Sequence, residues 1–123
     1  MQNFKLVLPE HLNSHGYLFG GNLLRWIDEV AYIAVNIDFP DHSFVTIGLD
    51  KVEFHHGIRE GVILRFETEQ TRLGTTSATY HVQVFDSYDP DRRNVVLFET
   101  QITFVNTVMG RKAPINQTHQ LST

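Results

Sequence analysis

The fold of this chain is decided by one apolar segment, Asn22-Leu23-Leu24-Arg25-Trp26-Ile27-Asp28-Glu29-Val30-Ala31-Tyr32-Ile33-Ala34-Val35-Asn36-Ile37. Leu23, Ile27, Val30 and Ala34 recur three and four positions apart, which is the spacing of one face of an α-helix. At about 100° per residue, the apolar sector covers most of the circumference and leaves a narrow polar stripe. The sequence therefore predicts a helix that other parts of the structure cover on most sides.

The rest of the chain has the alternating pattern of β-strands. One short strand over Phe4 to Leu8 precedes the helix, and four long strands follow it, with a phase shift near Lys51 that predicts a bulge. Strands joined by short turns pair in the antiparallel direction. We therefore expect an α+β fold in which one antiparallel sheet wraps around the helix. A single sheet leaves one flank of the helix open, so we also expect a second copy to cover that flank.

Length and composition narrow the possible functions. The 123 residues fit a single domain, residues 1–123, with a polar and mobile tail over about 108–123. The net charge of −4 comes without a basic stripe, so nucleic acid is not expected as a partner. Neither a signal peptide nor a membrane-spanning run is recognisable. The absence of cysteine excludes disulfides and a cysteine nucleophile and is compatible with a cytoplasmic protein.

Gly20 and Gly21 stand where the helix should begin. The first backbone N–H groups of a helix have no intrahelical partner and, with the helix dipole, favour negative charge. Such groups can hold the oxyanion of a thioester under attack, and glycine lets a ligand approach them closely. A tight loop entering a helix explains the same two glycines without any function.

Asp28 lies at the border of the apolar sector, two turns into the helix. A carboxylate in that position can activate water as a general base or attack a carbonyl as a nucleophile. The alternative is an ordinary solvated residue of an amphipathic helix. Asn13 can orient a water molecule or donate to a carbonyl, although an Asn in a loop more often caps its own turn.

The segment from Asn13 to Glu29 resembles the acyl-CoA thioesterase family of hotdog-fold proteins. Members carry Asn, Gly, Phe-Gly-Gly and Asp in this order and spacing. The similarity continues at Val45-Thr46-Ile47, Val52-Glu53-Phe54, Gly61, Gly74-Thr75-Thr76-Ser77 and Gly110-Arg111-Lys112-Ala113-Pro114. The resemblance thus covers nearly the whole chain and implies the hotdog fold, in which an antiparallel sheet wraps around a long central helix.

The resemblance also implies an activity, hydrolysis of an acyl-coenzyme A to free acid and coenzyme A without any further cofactor. Asp28 matches the catalytic general base or nucleophile, and Asn13 matches the loop Asn that positions water or the thioester. Gly20 and Gly21 match the glycines of the oxyanion site. Members work as homodimers or as tetramers or hexamers, with each active site built across two subunits.

Two further segments are implied to contact the coenzyme A portion of the substrate. The turn formed by Gly74, Thr75, Thr76 and Ser77 matches one that lies near coenzyme A in such enzymes. Arg111 and Lys112 match a basic segment that meets phosphates.

The chain departs from the family pattern at three places. Val62 follows Gly61 where Asp is common, His55-His56-Gly57 stands where a Pro is common, and Tyr17 stands where a polar or acidic residue is usual. These departures concern acyl-chain preference and turn geometry rather than the reaction.

Other classes of protein fit the sequence less well. The seven histidines have no convincing metal-ligand spacing, so no metal is expected. A non-catalytic acyl-CoA-binding protein of the same fold stays open as an alternative. A hydratase of this fold would carry a His with an acid on the helix, and this helix has no His.

Overall fold

The computed structural model describes residues 1–50, 52–54 and 56–116. It contains a long α-helix, α1 (Gly20–Asp38). The strands are β1 (Gln2–Leu6), β2 (Phe44–Leu49), β3 (Glu53–Phe54), β4 (Ile63–Leu73), β5 (Ser77–Asp86), β6 (Val96–Val108) and β7 (Arg111–Lys112). Across these ranges, no helix combines the length and the apolar character needed to cross a membrane.

The strands form one antiparallel sheet in the order β1-β4-β5-β6-β2, and the short strands β3 and β7 both pair with β6. The sheet curls around α1, so the predicted hotdog architecture is confirmed. The edge strand β2 follows α1 and runs back along it, from Phe44 near the end of the helix to Leu49. Further along the chain, the ring of Phe54 in β3 lies beside Gly20 at the helix start.

The core lies between α1 and the concave face of the sheet. Leu23, Ile27 and Val30 of α1 are almost fully buried, as predicted from their spacing. The alternating residues of the central strands meet them, among them Leu64, Phe66, Val82, Val84, Phe98, Ile102 and Phe104. Burial of each such side chain contributes about 1.5–3 kcal/mol. The buried residues are the ones that the helix and strand periodicities predict, so these periodicities account for most of the packing.

The helix is slightly longer and less completely covered than the sequence predicts. It begins two residues before Asn22 and ends one residue after Ile37. Ile33 and Ile37, two apolar residues of the helix, are 37% and 40% exposed. The open flank of α1 is therefore wider than the polar stripe alone.

The C-terminal part of the described chain differs from the expected tail. Strand β6 continues through Val108, and the chain then turns back into β7. Ile115 is buried and its N–H donates to the carbonyl of Thr75, because the buried side chain of Asn106 holds this segment by donating to the carbonyls of residues 113 and 114. Residues 108–116 are thus bonded to the sheet rather than free of it, and the rest of the predicted tail, residues 117–123, lies outside the described residues.

One buried hydroxyl fixes the end of the helix to the sheet. The Tyr80 Oη of β5 donates to Asp38 Oδ2 at 2.6 Å, and the Tyr80 side chain is almost fully buried. Burial raises the pKa of the Tyr80 phenol well above its usual range, and the hydrogen bond to Asp38 and the charge of that carboxylate raise it further.

Candidate active site

The helix start is built from two glycines pressed against two aromatic rings. A Cβ added at Gly21 would lie 2.6 Å from the Phe19 ring, and one at Gly20 would lie 3.1 Å from the Phe54 ring. A side chain at either position would therefore require the neighbouring ring to shift. The first N–H groups of α1 have no intrahelical partner. Phe19 and Phe54 are both about half exposed, so an apolar ligand portion could lie between them at the helix start.

Asp28 lies on the half-buried border of α1, on the flank that faces β2. Its Oδ1 accepts a hydrogen bond of 2.7 Å from the Thr46 hydroxyl. A bond this short from hydroxyl to carboxylate is charge-assisted and fixes the orientation of the acid. Among the described residues, no group donates a hydrogen bond to the second carboxylate oxygen, so Asp28 combines a fixed position with a free acceptor.

The neighbouring acid Glu29 has a different environment. It is exposed, and its Oε1 forms an ion pair of 3.3 Å with Lys5 Nζ on β1. The partner of Glu29 thus comes from β1, although Arg25 lies one turn away on the same helix. Two adjacent carboxylates therefore face opposite flanks of the helix, and only Asp28 faces β2.

Strand β2 is an edge of the sheet with apolar side chains turned outward. Val45, Ile47 and Leu49 are 46%, 57% and 39% exposed. The pairing with β6 shifts between Thr46 and Gly48, so Ile47 is the extra residue of a bulge. This bulge is separate from the one predicted near Lys51. The pairing with β6 shifts by one further residue between Leu49, opposite Ile102, and Glu53, opposite Glu99, in agreement with that prediction, and Lys51 itself is outside the described residues. An exposed apolar edge of this kind is a surface for pairing with another chain.

Asn13 lies in an exposed loop before α1, and its side chain stabilises that loop. Its Oδ1 accepts hydrogen bonds from the N–H groups of His15 at 2.9 Å and Tyr17 at 3.2 Å. The loop-capping alternative therefore accounts for this oxygen. The amide nitrogen of the side chain is a separate donor, and the catalytic part assigned to Asn13 stays a prediction.

The two segments expected near coenzyme A lie side by side at one end of the sheet. Gly74 and Ser77 close the β4–β5 turn through the bond from Gly74 N–H to the Ser77 carbonyl. The carbonyl of Thr75 in the same turn accepts from the segment that follows Arg111 and Lys112, two exposed residues of β7. The fold thus brings together residues that are far apart in the sequence, including Thr76, whose carbonyl accepts from the N–H of Asn106.

One residue of this arrangement was not predicted as part of the site. Thr46 follows Asp28 by many positions on another element, so no local spacing in the sequence could link them. Only the pairing of β2 with β6, which sets β2 beside α1, brings the hydroxyl to the carboxylate. Within the described residues, no three His, Asp or Glu side chains lie close enough together to hold a metal ion.

Comparison with known proteins gives consistent matches. The profile of the Thioesterase superfamily matches residues 15–91. The chain is 29% identical over 117 residues to the cytosolic acyl coenzyme A thioester hydrolase of Homo sapiens, covering 91% of this chain and 30% of that protein. The chain spans only 16% of the rat acetyl-coenzyme A thioesterase that it also matches.

Two solved structures share the fold over most of the chain. The hexameric hotdog fold thioesterase Cj0915 of Campylobacter jejuni has 28% identity and a TM-score of 0.82, covering 94% of this chain and 90% of that one. The acyl-CoA hydrolase of Staphylococcus aureus, solved with butyryl coenzyme A, has 28% identity and a TM-score of 0.80, covering 94% and 68%. Variants of that enzyme replace an Asn, an Asp or a Thr by alanine, and its Asn and Asp are as far apart along the chain as Asn13 and Asp28.

Proposed function

Because the chain belongs to the thioesterase superfamily, we propose that it hydrolyses the thioester of an acyl-coenzyme A, with Asp28 as general base or nucleophile. The observation that carries this proposal is the orientation of Asp28, which Thr46 holds at 2.7 Å on the open flank of α1. Asp28 and Asn13 have the same separation as the Asp and Asn replaced in the Staphylococcus aureus enzyme, which supports the same choice.

The geometry of α1 supports an active site that is shared between two chains. Gly20 and Asp28 are eight positions apart in the same helix, a separation of about 12 Å along its axis. One thioester carbonyl cannot contact both, because its oxygen must lie about 3 Å from the N–H donors while water or carboxylate attacks its carbon. The proposed site therefore combines Asp28 of one chain with Gly20 and Gly21 of a second chain whose helix runs antiparallel to the first.

Strand β2 supplies a surface on which such a dimer can form. Its outward apolar side chains and its free backbone groups favour pairing with β2 of a second copy. That pairing would place two helices side by side over a continuous sheet. A dimer is the smallest assembly that completes the site, and hexamers such as those named among the structural neighbours would contain three.

In the proposed reaction, the carbonyl oxygen of the thioester accepts hydrogen bonds from the helix-start amides of one chain. Asp28 of the other chain removes a proton from water, which attacks the carbonyl carbon, or attacks that carbon itself. The tetrahedral intermediate then expels coenzyme A as a thiolate, which takes up a proton. Where Asp28 is the nucleophile, this expulsion leaves an anhydride between the acyl group and Asp28, which water hydrolyses to the free acid and the regenerated carboxylate. Arg111 and Lys112, with the turn from Gly74 to Ser77, would bind the phosphates and pantetheine. A cytoplasmic location stays a prediction.

Release of free thiol from a panel of acyl-CoA substrates tests this proposal. Asp28→Asn should lower the rate by at least ~10²-fold, as removal of a general base does. Glu29→Gln is the matched control, since it loses only a surface ion pair with Lys5, and it should stay near the wild-type rate. Equal losses in both variants would show that the assignment of Asp28 as the catalytic carboxylate is wrong. Binding of acyl-CoA without any turnover would favour the non-catalytic alternative.

A further inference from the structure

A pocket of about 270 Å³ lies beside the helix start, outside the residues assigned above. Its walls are the buried side chains of Leu18, Leu23 and Ile58 and the rings of Tyr17 and Phe54, and the exposed residues His56 and Gly57 complete its lining. Phe54 also contacts Gly20, so the pocket opens next to the amides proposed to hold the thioester carbonyl. Ligand pockets in proteins range from about 300 Å³ upward, and this one is therefore small.

Tyr17 occupies its place in the pocket wall because residue 57 is glycine. A Cβ added at Gly57 would lie 2.6 Å from the Tyr17 ring, closer than real side chains approach one another. The ring thus fills the space that a side chain at position 57 would need. The two segments are also joined through their backbones, since Leu18 N–H donates to the Ile58 carbonyl at 2.7 Å.

Two further contacts fix Tyr17 in this position. Arg59 Nη2 donates to the Tyr17 hydroxyl at 2.9 Å, and the guanidinium carbon lies 4.7 Å from the centre of the ring. At the other end of the residue, Asn13 Oδ1 accepts from the Tyr17 N–H. Gly57 and the guanidinium of Arg59 therefore position the ring of Tyr17, and Asn13 holds its backbone.

We propose that this pocket receives the acyl group of the substrate and that Tyr17, seated on Gly57 and held by Arg59, limits it to short apolar chains. The inference rests on the proposed acyl-CoA substrate and names the part of it that the chain selects. The carbonyl at the amides of Gly20 and Gly21 directs the acyl chain between Phe54 and Leu23, towards the Tyr17 ring. Buried apolar walls favour an aliphatic chain over a charged one.

The test compares acetyl-, butyryl-, hexanoyl-, octanoyl- and palmitoyl-CoA as substrates. For the wild-type protein, kcat/KM should be highest for the short acyl chains and should fall for the longer ones. Tyr17→Ala should move the optimum to longer chains, with a gain of about fourfold for each additional methylene that becomes buried. The gain should appear in KM more than in kcat, because the pocket binds the chain remote from the reacting atoms.

Three variants separate a pocket wall from a general disturbance. Tyr17→Phe should keep the wild-type order of substrates, since the ring remains. Gly57→Ala should change the order, because the added methyl group displaces the ring. Tyr88→Ala, in a polar turn where the side chain is 69% exposed, is the matched control and should change nothing. Thermal unfolding of each variant checks that it folds.

Binding measured in the Asp28→Asn background separates this inference from the proposed function. Calorimetry of the same acyl-CoA panel gives Kd values that need no turnover. If the protein hydrolyses none of the substrates but Tyr17→Ala still changes the order of the Kd values, the proposed function is refuted and the pocket proposal is supported. If the protein is active but both Tyr17→Ala and Gly57→Ala leave the order of substrates unchanged, the pocket proposal is refuted and the proposed function is supported.

Discussion

Replacing Thr46 with valine removes one hydrogen bond from the proposed base while keeping the shape of the side chain. The bond from the Thr46 hydroxyl to Asp28 Oδ1 is 2.7 Å long, and bonds to charged groups contribute about 1.5–3 kcal/mol. Thr46 is exposed and Asp28 only half buried, so the lower end of that range applies. A loss of ~1.4 kcal/mol in transition-state stabilisation corresponds to about a tenfold lower kcat.

The assay is thiol release at saturating substrate, with three variants compared. Thr46→Val should lose about tenfold in kcat with little change in KM, because the hydroxyl orients the acid and does not bind substrate. Thr46→Ser keeps the donor and should stay within about twofold of the wild type. Thr71→Val is the matched control, since the Thr71 hydroxyl bonds Gln101 Oε1 instead. A Thr46→Val protein with wild-type kcat would refute the positioning role, and an equal loss in Thr46→Ser would assign the effect to packing.

Two further predictions concern assembly and stability. Ile47→Lys places a charge on the apolar edge of β2, so sedimentation should give a monomer without activity, while Tyr88→Lys should leave both unchanged; an active Ile47→Lys dimer would exclude this edge as the interface. Tyr80→Phe should lower the free energy of unfolding at pH 7 by ~1 kcal/mol through the lost bond to Asp38. The pKa of the Tyr80 phenol is raised in the folded state, so above about pH 10 the unfolded chain releases this proton first. The wild type should therefore lose stability in this range relative to Tyr80→Phe, which has no phenol at this position. Denaturation curves across alkaline pH check this, and parallel curves for wild type and Tyr80→Phe would contradict it.

The fold could be predicted because its main elements carry strong local patterns. The apolar spacing in α1 and the alternation in β4 to β6 each report burial directly, and both match the structure. The C-terminal segment could not be predicted in this way. Its order depends on Asn106, a polar residue within an apolar strand, whose side chain holds residues 113 and 114. A buried amide of this kind has no periodic signature.

The residues of the proposed site can be predicted from the sequence only where they lie close together along the chain. Gly20, Gly21 and Asp28 share one helix, and their order and spacing carry the resemblance to acyl-CoA thioesterases. Thr46 and Arg59 act on residues from distant elements, so the β2–β6 pairing and the loop packing decide their contacts. The helix geometry agrees with the expectation of a site shared between two subunits, because eight positions along α1 separate Gly20 from Asp28 too widely for one thioester to contact both in one chain.

Because of that separation along α1, the proposed activity depends on the concentration of the chain as well as on its sequence. If each site needs the acid of one chain and the amides of another, an isolated chain is folded and inert. Below the dissociation constant of the pair, the population of complete sites rises with the square of the chain concentration. Dilution alone would then lower the number of complete sites without unfolding the chain.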